Sequence, residues 1–312
     1  MTRTTGILTT LLALLILAGS FAGCGGGIST ANLSASELFA LGKDHYDREK
    51  YRQAIEYFQA AVYEHPGASI VDTAQYYLAL AYFSNEEYAL AQVEFNRLVN
   101  YYPSSVYIVN AQFLKSVCMF EGTPGHFGLD QTSVRDAVRQ FEDFLIDYPE
   151  SEMVPEAQAY LAKAHSRLAK KDFQSAMTYL RMGGYKAAEI YFQKVIDEYT
   201  TTEYGAQSLF YLAEVSEKMK DYAAAATRYE SFATVYPEHE WAGKAHEKAA
   251  ETAFKAAERA VNDRDAAGAR EQLESFLSKY PNDERAGKAR AYLEQIGDIP
   301  VESDSEQQTA EP

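Results

Sequence analysis

Few residues of this chain have the types and spacing that covalent or metal chemistry needs. Its six histidines, His45, His65, His126, His165, His239 and His246, are scattered. His239-Glu240 and His246-Glu247 lack the HExxH spacing that sets two imidazoles one helical turn apart, and no third ligand is evident. They read as surface histidines on a polar helix, so neither a metal nor any other cofactor is expected. Cys118 sits among Phe113, Leu114, Val117, Met119 and Phe120 on a predicted helix with no nearby histidine, which is the setting of a buried structural thiol. Glu86-Glu87 and Glu142-Asp143 are adjacent in sequence and leave a helix on different sides, so they cannot act as an acid–base pair. One thiol remains, Cys24, and its meaning depends on what surrounds it.

The chain begins MTRTTGILTTLLALLILAGSFAGC. Arg3 supplies a short positive start, and Ile7 to Ala18 is an apolar run of 12 residues. That run is too short to cross a bilayer alone and suits a secretory signal. Phe21-Ala22-Gly23-Cys24 resembles the lipobox of bacterial lipoprotein signals, with Phe21 where Leu is usual. Small residues at Ala22 and Gly23 let a peptidase reach the backbone, and the thiol takes up the diacylglyceryl group. Residues 1–23 are therefore expected to be removed and Cys24 lipidated; an ordinary signal peptide with an incidental cysteine is the plainer alternative. GGGISTANLSAS follows, and residues 24–35 read as a flexible tether. No Lys-Ser/Thr follows the glycines and no strand precedes them, which disfavours a phosphate loop. Gly25, rather than Asp, follows Cys24, the choice that in lipoproteins with inner-membrane retention signals favours export to the outer membrane.

A repeat of about 37 residues organises the rest. Leu38, Leu41, Gly42, Ala54, Phe58, Ala61 and Pro66 fall at tetratricopeptide spacing, and Leu78, Ala79, Tyr82, Ala91, Phe95 and Pro103 repeat it 37 residues on. The second-helix ending recurs at Ala137/Phe141/Tyr148/Pro149, Ala188/Phe192/Tyr199/Thr200, Ala225/Tyr229/Tyr236/Pro237 and Ala269/Leu273/Tyr280/Pro281. Alanine lets paired helices approach, the large residue four on fills the next groove, and proline ends the helix. Six endings predict an all-α, tetratricopeptide-like solenoid of about six helix pairs. Two spacings are longer. EGTPGHFGLDQTS reads as a polar loop, and the stretch before Gly183 as one long helix. Residues 285–296 read as a capping helix. The division expected is 36–149 for the N-terminal repeats, 150–296 for the C-terminal repeats and cap, and 297–312 for an acidic, disordered tail with five acids and no base.

The 312-residue chain carries a formal charge of -16, a field that repels nucleic acid and anionic head groups. With only Cys24 and Cys118 it has no disulfide framework.

The lipobox, tether and repeats, together with LALAYFSNEEYALAQVEFNRLVNYYPSS and the stretch from Phe127 to Tyr199, resemble the BamD family of outer-membrane lipoproteins of β-barrel assembly. In that family a Phe-Gly-apolar-Asp loop precedes the third repeat, and a long helix ends in a glycine turn. The similarity covers roughly residues 36–235; the family usually ends after about five repeats, and the loop at 121–133 looks shorter here than in some members. The resemblance implies a non-enzymatic scaffold anchored in the outer membrane and facing the periplasm. Its implied partners are the periplasmic domains of the barrel-forming assembly protein and the C-terminal segments of unfolded outer-membrane clients. The alternatives are a scaffold for another envelope or cell-division complex, and a murein hydrolase, for which no stretch remains to house a catalytic domain.

Two surfaces are expected to carry binding. By analogy with the family, the assembly contact falls on residues 185–235, where Lys186, Lys194, Lys218, Lys220 and Arg228 give mixed charge. Residues 36–149 hold 8 bases and 16 acids, whereas 150–296 hold 20 and 24. For the client peptide, positions seven apart on the first helix of each pair share a stripe. Phe39 and Tyr46, Tyr76 and Phe83, and Phe113 and Phe120 are such pairs, each displaced by 37 residues. They are expected to form a ladder for alternate side chains of an extended peptide, with Lys43 meeting its carboxylate. The opposing reading makes them inter-helix core, although Leu41, Leu78, Phe58 and Phe95 already fill the standard core positions.

Overall fold

The computed structural model describes residues 32–126 and 128–297. Cys24, its signal segment and the acidic tail lie outside the described residues. Thirteen helices follow one another: α1 (Ala35–Asp47), α2 (Tyr51–Glu64), α3 (Val71–Ser84), α4 (Tyr88–Tyr101), α5 (Ile108–Glu121), α6 (Thr132–Asp147), α7 (Val154–Arg181), α8 (Tyr185–Glu198), α9 (Glu203–Lys218), α10 (Tyr222–Val235), α11 (Ala242–Asn262), α12 (Ala266–Lys279) and α13 (Ala286–Gly297). They make six pairs and a final single helix. The long helix expected before Gly183 is α7, which at 28 residues is about 42 Å long.

The repeat is legible in how each helix stops. The residue before proline is barred from the helical region. His65, Tyr102, Tyr148, Tyr236 and Tyr280 each precede a proline, and each leaves the helix at φ between -124° and -130° with ψ between 56° and 61°. Tyr199 does the same (φ -136°, ψ 38°) before Thr200, so the ending survives without proline. Within five of the six pairs the turn is three residues long and its middle one is left-handed: Glu49, Glu86, Gly183, Lys220 and Arg264 have φ of 59–76°, whereas a longer loop joins α5 to α6.

Packing follows the alanine–aromatic register. Ala54, Ala91, Ala137, Ala188, Ala225 and Ala269 are fully buried, and Phe58, Phe95, Phe141, Phe192, Tyr229 and Leu273, one turn on, are 0–1% exposed. One expectation fails. Leu41 is 38% exposed, and the α1 core position belongs to Leu38 at 0%. Gly42, one turn after Leu38, is where the Phe58 ring crosses.

The helices pack as two compact units that divide between Cys118 and Met119, inside α5. In the first unit one core joins α1 to the first part of α5, from Leu38 and Phe58 to Phe95 and Cys118. In the second, α7–α9 bury Phe173, Phe192 and Leu212 together, and α9–α13 bury Phe210, Tyr229, Phe254, Phe276 and Ile296. First helices of successive pairs also touch, α7 with α9, and α11 touches α13. No described helix is long and apolar enough to cross a membrane.

Candidate functional site

In the first unit, α1 and α3 bring together part of the expected peptide surface. The half-buried Phe39 ring lies 5.7 Å from Phe58 and 5.4 Å from Tyr77, edge to face. Tyr46 meets the same Tyr77 at 6.0 Å and its hydroxyl lies 3.1 Å from Ser84 Oγ. Lys43 sits between them, its Nζ 5.5 Å over the Tyr77 ring and 2.6 Å from Asp47 Oδ2. That hydrogen bond, with the Asp47 charge, holds the lysine above its usual pKa, so it is a cation at any physiological pH. The arrangement offers ring edges next to an ammonium that already shares one carboxylate.

The rest of the ladder does not form. Tyr76 is 7%, Phe113 1% and Phe120 8% exposed, so these rings are core. Tyr76 stacks on Tyr107 at 4.3 Å, and Phe120 meets Tyr160 at 5.9 Å beneath the Arg167 guanidinium. Phe83, half-buried, pairs with Tyr88. The ring that does join Phe39 and Tyr46 is Tyr77, absent from the sequence reading. It follows Tyr76 by one residue, and so sits about 100° further round the helix.

The five basic residues of the second surface occupy three settings. Lys186 and Arg228 converge on Glu189, at 3.2 Å and 3.0 Å, and Arg228 also donates to Ser216 Oγ, tying α8 to α10 and α9. Lys194 is paired with Asp172 of α7 at 2.9 Å. Lys218 and Lys220 are exposed and line a groove with Lys244, Lys248 and Lys255 of α11. Those last three were not among the expected residues, because the family analogy stops at 235.

Residues weighed as chemistry settle into structural places. Cys118 is 2% exposed, and burial pushes its thiol up to about 12. His239 accepts a hydrogen bond from the Trp241 amide before α11, and the His246 ring meets Tyr280. The described residues contain no group of acids, histidines or cysteines able to hold a metal ion.

The fold and these surfaces can be set beside known proteins. Residues 31–230 match the YfiO family, described as an outer membrane lipoprotein. The outer membrane protein assembly factor BamD of Caulobacter vibrioides is 27% identical over 208 residues, covering 65% of this chain and 68% of that protein. Its namesake from Rickettsia prowazekii is 28% identical over 245 residues, covering 77% of this chain and 96% of that one. Among solved structures, the TPR2AB domain of yeast Sti1 in its pHSP90 complex is similar with a TM-score of 0.39 and 14% identity, over 84% of this chain and 98% of the other. None of these relatives is named for a reaction. With a match that runs from before α1 into α10, the chain belongs to the YfiO family of outer-membrane lipoproteins.

Proposed function

We propose that this chain is a lipid-anchored scaffold that assists the assembly of β-barrel proteins in the outer membrane. The observation that carries the reading is the extent of the similarity: 28% identity over 245 aligned residues with a Rickettsia protein named as an assembly factor, across 96% of its length. Cys24 is the lipid attachment point and the described helices face the periplasm. Two or three acyl chains, at about 0.8 kcal/mol per buried CH₂, hold such a protein at the membrane.

In this reading the helices of the second unit contact the periplasmic domains of the barrel-forming protein. Lys218 and Lys220 are the residues free to do so, whereas Lys186, Lys194 and Arg228 are engaged within the chain and set the surface's shape. The client's C-terminal segment lies against Phe39, Tyr46, Tyr77 and Lys43, with ring edges for its terminal aromatic and the ammonium for its carboxylate.

Purification of the full chain from gently solubilised envelopes tests the scaffold role. The barrel-forming assembly protein should co-elute, and the Lys218→Glu/Lys220→Glu double variant should lose it in a salt-sensitive way. Recovery of division or other envelope complexes without any barrel-forming protein would defeat the reading. The peptide face has its own measurement. Lys43→Gln should erase the preference for a free C-terminal carboxylate over its amide, and a preference that survives the substitution removes Lys43 from the site.

A further inference from the structure

A groove of about 450 Å³ lies between α9 and α11, floored by the start of α10. Five lysines line it, Lys218, Lys220, Lys244, Lys248 and Lys255, against the carboxylates of Glu214 and Glu217. In a chain of charge -16 this is a local inversion of sign.

The charges have distinct tasks. Lys255 Nζ is 2.9 Å from Glu217 Oε1 and 2.7 Å from Glu251 Oε1, and Lys248 Nζ is 2.9 Å from Glu251 Oε2 and 3.7 Å from Glu217 Oε2. This quartet neutralises itself and fastens α9 to α11. Lys218, Lys220 and Lys244 have no carboxylate within ion-pair distance among the described residues, and Lys244 lies 5.3 Å over the Phe210 ring. Three uncompensated ammonium groups therefore rim a groove whose walls are partly aromatic.

We propose that this groove binds an extended acidic segment of a protein partner, with α11, which lies outside residues 31–230 of the family match, forming one wall. Lys244, Lys248 and Lys255 share one face of α11 and spread over eleven residues, about 16 Å. An extended chain covers that distance in about five residues, and its carboxylates meet Lys244 on this face and Lys218 and Lys220 on the opposite wall, while Lys248 and Lys255 stay with Glu217 and Glu251. A phosphate site is built otherwise, with donors converging on one point from a backbone nest or an arginine fork, and neither is present in this lining. The inference deepens the contact proposed for Lys218 and Lys220 and rests on that surface being a docking face.

The test uses the full chain and a fluorescent octapeptide with glutamate at alternate positions, beside the same peptide with glutamine. The acidic peptide should bind more tightly, and Lys218→Glu and Lys244→Glu should each weaken it about tenfold and lower its salt dependence. Lys170→Glu, on α7 and outside the groove, should change little. Lys244→Gln serves if the reversal disturbs folding. Equal binding of the two peptides, equal weakening by Lys170→Glu, or displacement by inorganic phosphate at matched ionic strength would each overturn the proposal. Failure of the envelope co-purification with peptide selectivity intact would leave the groove standing and defeat the assembly reading instead. Co-purification without peptide selectivity would do the reverse.

Discussion

Replacing Gly42 by alanine puts the packing logic of the first pair to a quantitative test. A Cβ at this position of α1 would lie 2.6 Å from Phe58 Cε1 and 2.7 Å from Cδ1. Carbon atoms in contact prefer about 3.5–4.0 Å, so the ring would have to retreat by about 1 Å. It has nowhere to go, because Phe58 is fully buried and bounded by Phe39 at 5.7 Å and Tyr77 at 5.9 Å. Alanine gains about 1 kcal/mol over glycine in a helix interior. Overpacking costs about 1–3 kcal/mol, and disturbing the two aromatic contacts adds about 0.5–1.5 kcal/mol each. The net expectation is a loss of about 1–5 kcal/mol. Gly287 in α13 has nothing within 4 Å of where a Cβ would sit, so the same substitution there should be neutral or stabilising. Urea unfolding followed by tyrosine fluorescence reads both, and Phe58→Leu should rescue Gly42→Ala in a double-mutant cycle. A Gly42→Ala protein as stable as its parent would show that the ring yields, and that close approach is not what reserves glycine there.

Three further outcomes follow from the same structure. Glu49 and Glu86 are held at φ 59° and 61°, so glycine at either turn should stabilise by about 0.5–1 kcal/mol, and a loss on substitution would mean their side chains hold the turns. With Cys24 replaced by serine, Cys118 should resist thiol reagents at pH 8 until the protein unfolds, its thiol being buried and pushed up to about 12; prompt labelling would contradict that burial. Hydrogen bonds from Lys255 and Lys248 lower Glu251 from 4.5 to about 2, so its stabilisation is complete above the unfolded value and is lost as pH falls from 4.5 towards 2. At 31% exposure the advantage over Glu251→Gln is about 1–2 kcal/mol after screening, and a difference that persists unchanged down to about pH 2 would refute the assignment.

The helix pairs were legible because their signals are local. Proline after Tyr102, Tyr148 or Tyr236 bars the helical conformation whatever the rest of the chain does, and alanine four residues before a large side chain marks a seam between two helices. Leu41 shows where such reading stops. Leu38 and Leu41 are both apolar and three apart, yet only one faces α2, because the choice depends on where Phe58 crosses at Gly42. The aromatic stripe failed for a related reason. A period of 37 residues relates Phe39 to Tyr76 as equivalent positions in sequence, but α3 is covered by both α2 and α4, whereas among the described residues no helix precedes α1. The same register is thus half-open in the first repeat and closed in the second, and Tyr77, one residue round, takes the open position.

Charge was harder to read than apolarity, and the pattern of ion pairs explains why. Composition pointed to Lys194 and Arg228 as surface cations available to a partner, yet both are spent on carboxylates of other helices. Arg228 finds Glu189 39 residues earlier, Lys255 finds Glu217 38 earlier, and Tyr46 and Ser84 meet 38 apart. These offsets are one repeat plus one or two residues, the step that carries a side chain to the helix stacked beside it. Lys194 reaches Asp172 only 22 residues away, across one pair. In a stacked-helix protein the residues to compare for neutralisation are therefore those a repeat apart, not only those three or four apart. The acids that stand at such offsets from Lys220 and Lys244, Glu258 and Asp283, are taken by Lys288 and Arg285, and Lys218 has none there; it is this remainder of unanswered charge, rather than the net charge of either half, on which the proposed docking groove rests.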